Sequence, residues 1–191
     1  MSIDYNNKLL EKLVKYGLGI VAVMAVVNVV RVTAPEFITV SNSVNGRELP
    51  IYCVDTEEKK IALSFDAAWG NEDTQTILDI LQENEVHATF FMTGGWVKSY
   101  PEDVKNILAA GHDLGNHSEN HKNMSQLSDT ECKEELMKVH DKVKKLTGYE
   151  MFLFRPPYGD YDNEVITNAK ECGYYTIQWD VDTLYIKAMT F

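Results

Sequence analysis

At 191 residues, with 45% apolar and 25% charged side chains, the chain has the length for one domain with a sizeable core and the composition of a globular protein, which excludes a disordered chain. Its formal net charge of −11 argues against a nucleic-acid binder, which needs a basic face for the phosphates, and against docking of the folded part on anionic lipid. The three cysteines, Cys53, Cys132 and Cys172, are odd in number and widely spaced, which excludes a dense disulfide framework, argues against a cysteine-built zinc site, and leaves buried or partly buried free thiols.

The first element is an apolar run over 17–30, GLGIVAVMAVVNVV, broken only by Asn28. The run is short for a bilayer span, which needs about 20 residues. Extending it to 13–32 reaches that length, with Lys15 and Arg31 snorkelling at the ends. We read it as an uncleaved anchor in preference to a cleaved signal, because Pro35 follows the best cleavage-like tail at 32–34. A buried core helix is disfavoured, since no polar face recurs at the helical period. Lys8, Lys12 and Lys15 precede the run, so 1–12 is expected in the cytoplasm and the rest outside a single-pass cell membrane. Residues 33–57 read as a linker or stalk, with a short strand near 47–54.

From 58 onward strand-like and helix-like segments alternate. A strand over 61–65 runs into a turn at 69–71, and a helix over 73–85 has its apolar face at Ile77, Leu78 and Leu81, with Asp73 at its N-cap. A strand over 87–92 precedes a turn at Gly94-Gly95. A helix over 101–110 stops at Gly111, and a strand over 113–117 enters a polar loop. Ser128 and Glu131 form a capping box at the head of a helix over 128–146, closed by Gly148. A strand over 151–154, a helix over 163–171 and a strand over 174–179 complete the series. Five such units predict an α/β fold with parallel strands and crossover helices.

Polar residues at the C-terminal ends of these strands are the candidate site, because α/β folds build sites on that edge. They are Asp66, His117, Arg155, Asp180 and Asp182. His117-Ser118-Glu119-Asn120-His121 places two imidazoles four residues apart, a spacing that can converge on a transition-metal ion from a helix face or a tight loop. Gly115, Asn116 and Asn120 favour the loop. The competing reading is two incidental surface histidines, as it is for His87, His112 and His140. Asp66 could be only a cap or turn residue. Arg155 opens the rigid turn Arg155-Pro156-Pro157-Tyr158-Gly159 and could hold a carboxylate in a bidentate pair.

Taken in order, Ser64-Phe65-Asp66, the His117–His121 pentapeptide and the Arg155–Gly159 turn resemble the first three motifs of the polysaccharide deacetylases, the NodB-homology domain of carbohydrate esterase family 4. The resemblance covers about 58–183 and implies an incomplete, distorted (β/α) barrel that hydrolyses N-acetyl or O-acetyl groups of a polysaccharide such as peptidoglycan, chitin or xylan. It implies a divalent metal, most often zinc, on His117 and His121, and Asp66 as the base. It further implies that Arg155 orients Asp66, that the Tyr158 N–H faces the oxyanion, and that Ser118 braces the histidine loop. The aromatics Trp69, Trp96 and Tyr158 could stack on sugars or simply pack, and Trp69, Tyr158 and Pro156 are the residues expected to face the sugar.

Two departures from that pattern stand out. Where the family carries a second aspartate as metal ligand, this chain has Ala67; Asp73 or Glu72 could substitute, or Asp66 could ligate the metal itself. Asp180 and Asp182 begin a fourth motif that does not continue, and the late acid histidine of the family has no counterpart. The expectation is therefore a domain truncated after about five β/α units. Its runner-up function is an inactive pseudoenzyme or glycan-binding remnant of the same fold.

Overall fold

The computed structural model describes residues 43–182. The anchor expected over 13–32 lies outside them. Among the described residues no helix is long and apolar enough to cross a membrane.

The expected strands assemble into one five-stranded sheet. They are β3 (Leu63–Ala67), β4 (Ala88–Met92), β5 (Asp113–Asn116), β6 (Leu153–Phe154) and β7 (Tyr175–Thr176), paired in that order. All four pairings are parallel. Parallel neighbours require crossovers, and the helices supply them. α1 (Thr74–Glu83) follows β3, α2 (Gly94–Ser99) and α3 (Pro101–Ala109) follow β4, α4 (Asp129–Thr147) follows β5, and α5 (Asn163–Glu171) follows β6. Among the described residues four strand-and-helix units and a fifth strand are present, one helix short of the five units expected.

Strand alternation divides the side chains between two faces. On one, Phe65 stacks on Phe90 with centroids 5.1 Å apart, and Phe90, Leu114 and Phe154 join the buried faces of the helices. Val104 and Ile107 of α3, Leu136, Val139 and Val143 of α4, and Val165 and Ala169 of α5 complete that core. On the other face Asp66, Phe91 and Gly115 lie side by side in register. The functional residues sit on this second face.

α4 starts as expected. Ser128 Oγ accepts from the Glu131 N–H, the Glu131 carboxylate accepts from the Ser128 N–H at 3.0 Å, and Gly148 closes the helix at φ 77°. We expect Ser128→Ala to lower stability by about 1 kcal/mol in a urea titration; an unchanged midpoint would show that α4 is held by packing alone.

Three expectations need correction. Gly94-Gly95 is not a turn: Thr93 Oγ1 accepts from the Trp96 N–H and caps α2, which begins at Gly94. The described part of the 33–57 linker is not free. β1 (Ser43–Val44) and β2 (Arg47–Glu48) form a hairpin through Asn45 and Gly46, both at positive φ, the two-residue turn that suits strand twist. Ile51 then pairs in parallel with Ile177 beyond β7, and Asn163 of α5 bonds to Glu48 N–H and Gly46 C=O. Backbone pairing with β7 thus draws this segment into the domain. Finally, Cys53 is exposed, whereas Cys132 and Cys172 are buried and half-buried as expected.

Candidate active site

Asp66 is the penultimate residue of β3, His117 directly follows β5, and Arg155 directly follows β6. All three therefore emerge at the same sheet edge. Arg155 must cross two intervening strands to reach Asp66. Its path is a buried platform: Phe91 fills the space above Gly115, and the guanidinium carbon lies 4.1 Å from the Phe91 ring centroid. From there Nη1 donates to Asp66 Oδ1 at 2.7 Å and Nη2 donates to Ser64 Oγ at 2.7 Å. The pair is charge-assisted and holds the Asp66 carboxylate in one orientation.

The two histidines converge from a tight loop, not from a helix. His117 is buried, and its Nδ1–H donates to the Arg155 carbonyl at 2.7 Å. A carbonyl can only accept, so the proton sits on Nδ1 and Nε2 carries a lone pair. That Nε2 faces Asp66 Oδ2 at 3.8 Å. Burial pushes the His117 pKa down to about 4 against the opposing pull of Asp66, so the ring is neutral at physiological pH. His121 is shifted down for the same reason, and its Nδ1 is buried with no hydrogen-bond partner. The imidazole centroids are 4.9 Å apart.

Backbone strain shapes this loop. Ser118 and His121 both have positive φ, 65° and 55°, outside the usual range for side chains with a Cβ. Ser118 Oγ accepts from the His121 N–H at 3.0 Å, the bracing expected of it, and Asn116 Oδ1 accepts from the Ser118 N–H at 2.9 Å. The carbonyls of Ser118 and Glu119 accept from the N–H groups of Gly94 and Gly95 at the head of α2. Glu135 of α4 accepts from the Asn120 N–H at 2.8 Å and side-chain amide at 2.7 Å. Burial pushes the Glu135 pKa up, but the Asn120 hydrogen bonds and Lys122 pull it below the ordinary carboxylate value.

Tyr158 also has positive φ, 59°, in the short 3-10 turn Pro157–Gly159. Its ring and that of Trp69 meet His121 edge-on, with centroids 4.5 and 4.8 Å away. Both aromatic residues are about two-thirds exposed, 66% and 67%, so they can still receive a ligand. Pro156 is buried, so it is not the sugar-facing residue expected. Trp96 is core, its indole N–H bonded to the Gly70 carbonyl at 2.6 Å.

The donor chemistry suits a divalent transition ion, since each neutral imidazole keeps a nitrogen free of hydrogen bonding. Among the described residues no third protein ligand joins them. Asp73 takes the N-cap position of α1, and among the described residues no three His, Cys, Asp or Glu side chains form a metal-sized cluster. Residue 67 is an alanine packed on the main core.

Several contributors carried weak or no sequence signal. Gly115, a glycine inside a strand, marks a close approach. Glu135 is a charge set into the apolar stripe of Cys132, Leu136, Val139 and Val143. Phe91 and Tyr174 carried no signal that separates them from ordinary strand residues, and Ser64 and Asn116, noted only as part of a motif and of a loop, gave no sign of the hydrogen bonds they make to Arg155 and Ser118.

Residues 54–177 match the polysaccharide deacetylase family. The chain is 36% identical over 141 residues to the peptidoglycan-N-acetylmuramic acid deacetylase PdaA of Bacillus subtilis, covering 73% of this chain and 54% of that protein. The structure of PdaA superposes with a TM-score of 0.69, over 73% of this chain and 60% of that one. A carbohydrate esterase family 4 pseudoenzyme from Bacillus anthracis is 38% identical, with a TM-score of 0.68 over 70% of this chain and 48% of its own. A mutant of that pseudoenzyme, described as having restored enzymatic activity, is 40% identical with the same TM-score, over 70% of this chain and 49% of its own. The chain spans about half the length of the curated relatives it matches.

Proposed function

This chain belongs to the polysaccharide deacetylase family, and on that premise we propose that it carries the metal-binding, sugar-facing part of a hydrolase that removes acetyl groups from a cell-wall polysaccharide. Peptidoglycan is the proposed polymer, supported by the named activities of its relatives. The observation that carries the reading is the clamp of Arg155 on Asp66 beside two neutral histidines. The segment over 13–32 would hold the domain outside the cell membrane.

His117 and His121 would hold the ion, zinc in the first instance. A bound divalent ion polarises an acyl carbonyl and acidifies water. Asp66 Oδ2, the oxygen not engaged by Arg155, takes the proton of the attacking water. Arg155 keeps that oxygen aimed, and Ser64 keeps Arg155 aimed. The left-handed turn at Tyr158 presents its backbone N–H to the developing oxyanion. Trp69 and Tyr158, both exposed and both against His121, offer aromatic rings to a sugar.

A Co2+ titration by calorimetry tests the reading: one ion per chain, and none for His117→Ala. Uptake that survives His117→Ala would sink it.

Ala67 favours a second reading, a pseudoenzyme that keeps the site without turnover. It predicts no acetate release from an N-acetylglucosamine oligomer by the chain as it stands. It also predicts that Ala67→Asp, by adding an anionic oxygen to two neutral imidazoles, raises Co2+ affinity at least about tenfold. Unchanged affinity would show that residue 67 is not a ligand position here.

A further inference from the structure

A polar chain that none of the site residues explains runs from the surface to the histidine loop. Glu150 Oε2 lies 2.9 Å from His140 Nε2, His140 Nδ1 lies 2.7 Å from the Tyr174 hydroxyl, and Asn116 Nδ2 lies 3.0 Å from the same hydroxyl. Asn116 Nδ2 also donates to the Leu136 carbonyl at 2.8 Å. Tyr174 and Asn116 are 3% and 0% exposed, so water cannot stand in for a lost partner.

Every proton in the chain is assignable. Asn116 Oδ1 accepts from the Ser118 N–H, which fixes the amide and makes Nδ2 a donor. Tyr174 oxygen therefore accepts from Asn116, and its own hydrogen has His140 Nδ1 as its acceptor. His140 must then carry its proton on Nε2, where Glu150 accepts it. Glu150 is itself held by Lys144 at 2.5 Å. Neither Tyr174 nor Asn116 is free to turn without orphaning a buried neighbour.

We propose that His140 and Tyr174 are positioning residues for the metal-binding loop: through Asn116 they hold the strained Ser118–His121 turn in the conformation that brings His121 beside His117. Ser118 and His121 carry the strain in their positive φ, and Asn116 enters this turn from the core side at Ser118, as Glu135 does at Asn120. The inference rests on the reading of these histidines as metal donors, but the relay itself can be observed without metal.

The test is amide hydrogen exchange on the metal-free protein, followed by Co2+ titration. Tyr174→Phe is expected to speed exchange at Ser118 and His121 at least about tenfold while Phe90 in β4 is unchanged, and to weaken Co2+ binding about 10–100-fold. His140→Leu should do the same. His140→Asn, whose Oδ1 replaces Nδ1 as acceptor, should restore both readouts. Exchange at Ser118 and His121 that is unchanged in His140→Leu, or speeded equally at Phe90, overturns the proposal. So does failure of His140→Asn to differ from His140→Leu; because residue 140 lies at the outer end of the chain, this comparison decides even where Tyr174→Phe does not fold. Exchange that responds as expected in a protein that takes up no Co2+ supports the relay and overturns the metal reading.

Discussion

Replacing Arg155 by leucine is expected to cost about 2–4 kcal/mol of folding stability. Three interactions vanish together: the bond to Asp66, the bond to Ser64, and the guanidinium on the Phe91 ring. Loss of one partner from a fully buried ion pair costs about 3–5 kcal/mol, because a bare charge remains. Here Asp66 keeps 36% of its side chain in water, so hydration recovers part of that cost and the lower range applies. A urea titration with an unchanged slope measures it. Arg155→Lys should recover less than half, since one ammonium cannot span Asp66 and Ser64 as the planar fork does. A loss below about 1 kcal/mol for Arg155→Leu would show that the clamp contributes orientation and not stability.

Gly115→Ala is expected to cost about 2–3 kcal/mol. A methyl group at this position would stand 2.4 Å from Phe91 Cδ1 and 2.6 Å from Cε1, closer than carbon atoms can approach. The Phe91 ring is 1% exposed and has Arg155 on its outer side. It can move only by pushing the guanidinium, so the substitution should also weaken Co2+ binding through the Arg155 carbonyl that holds His117. Shrinking the ring separates this from a general strand effect. Phe91→Leu in the Gly115→Ala background should be more stable than the sum of the two single costs by about 1 kcal/mol or more. Strict additivity would place the damage elsewhere.

The residues on this platform show how far local signals reach. Ser128 with Glu131 and the closing Gly148 announced α4 because a cap is satisfied within one turn of its own helix. The strands at 61–65 and 87–92 were legible as apolar runs, and the order of Asp66, His117, His121 and Arg155 was enough to indicate the family. Gly94-Gly95 misled because a glycine pair favours turns, whereas Thr93 and the carbonyls of Ser118 and Glu119 hold it as the start of a helix. Residues 43–52 were legible only in part: a short strand near 47–54 was expected, and β2 and the Ile51 bridge fall there, but the polar, turn-rich composition gives no sign of the bare edge of β7 that captures Ile51.

By itself, then, the sequence determined the elements, their alternation and the chemical types present at the sheet edge, including the alanine at 67. Those properties are written in periodicity, caps and motif order over a few residues. The resemblance implied that Arg155 orients Asp66; only the tertiary structure decided that the guanidinium divides between Asp66 and Ser64, that Phe91 over Gly115 supports the grip, and that Asp73 stays at its helix end. It also decided that His140, which has no spacing to any other site residue, stands at the outer end of a hydrogen-bond chain leading to His121. These pairings depend on strand register and on where each crossover helix lands, and neither is set by the residues adjacent in sequence.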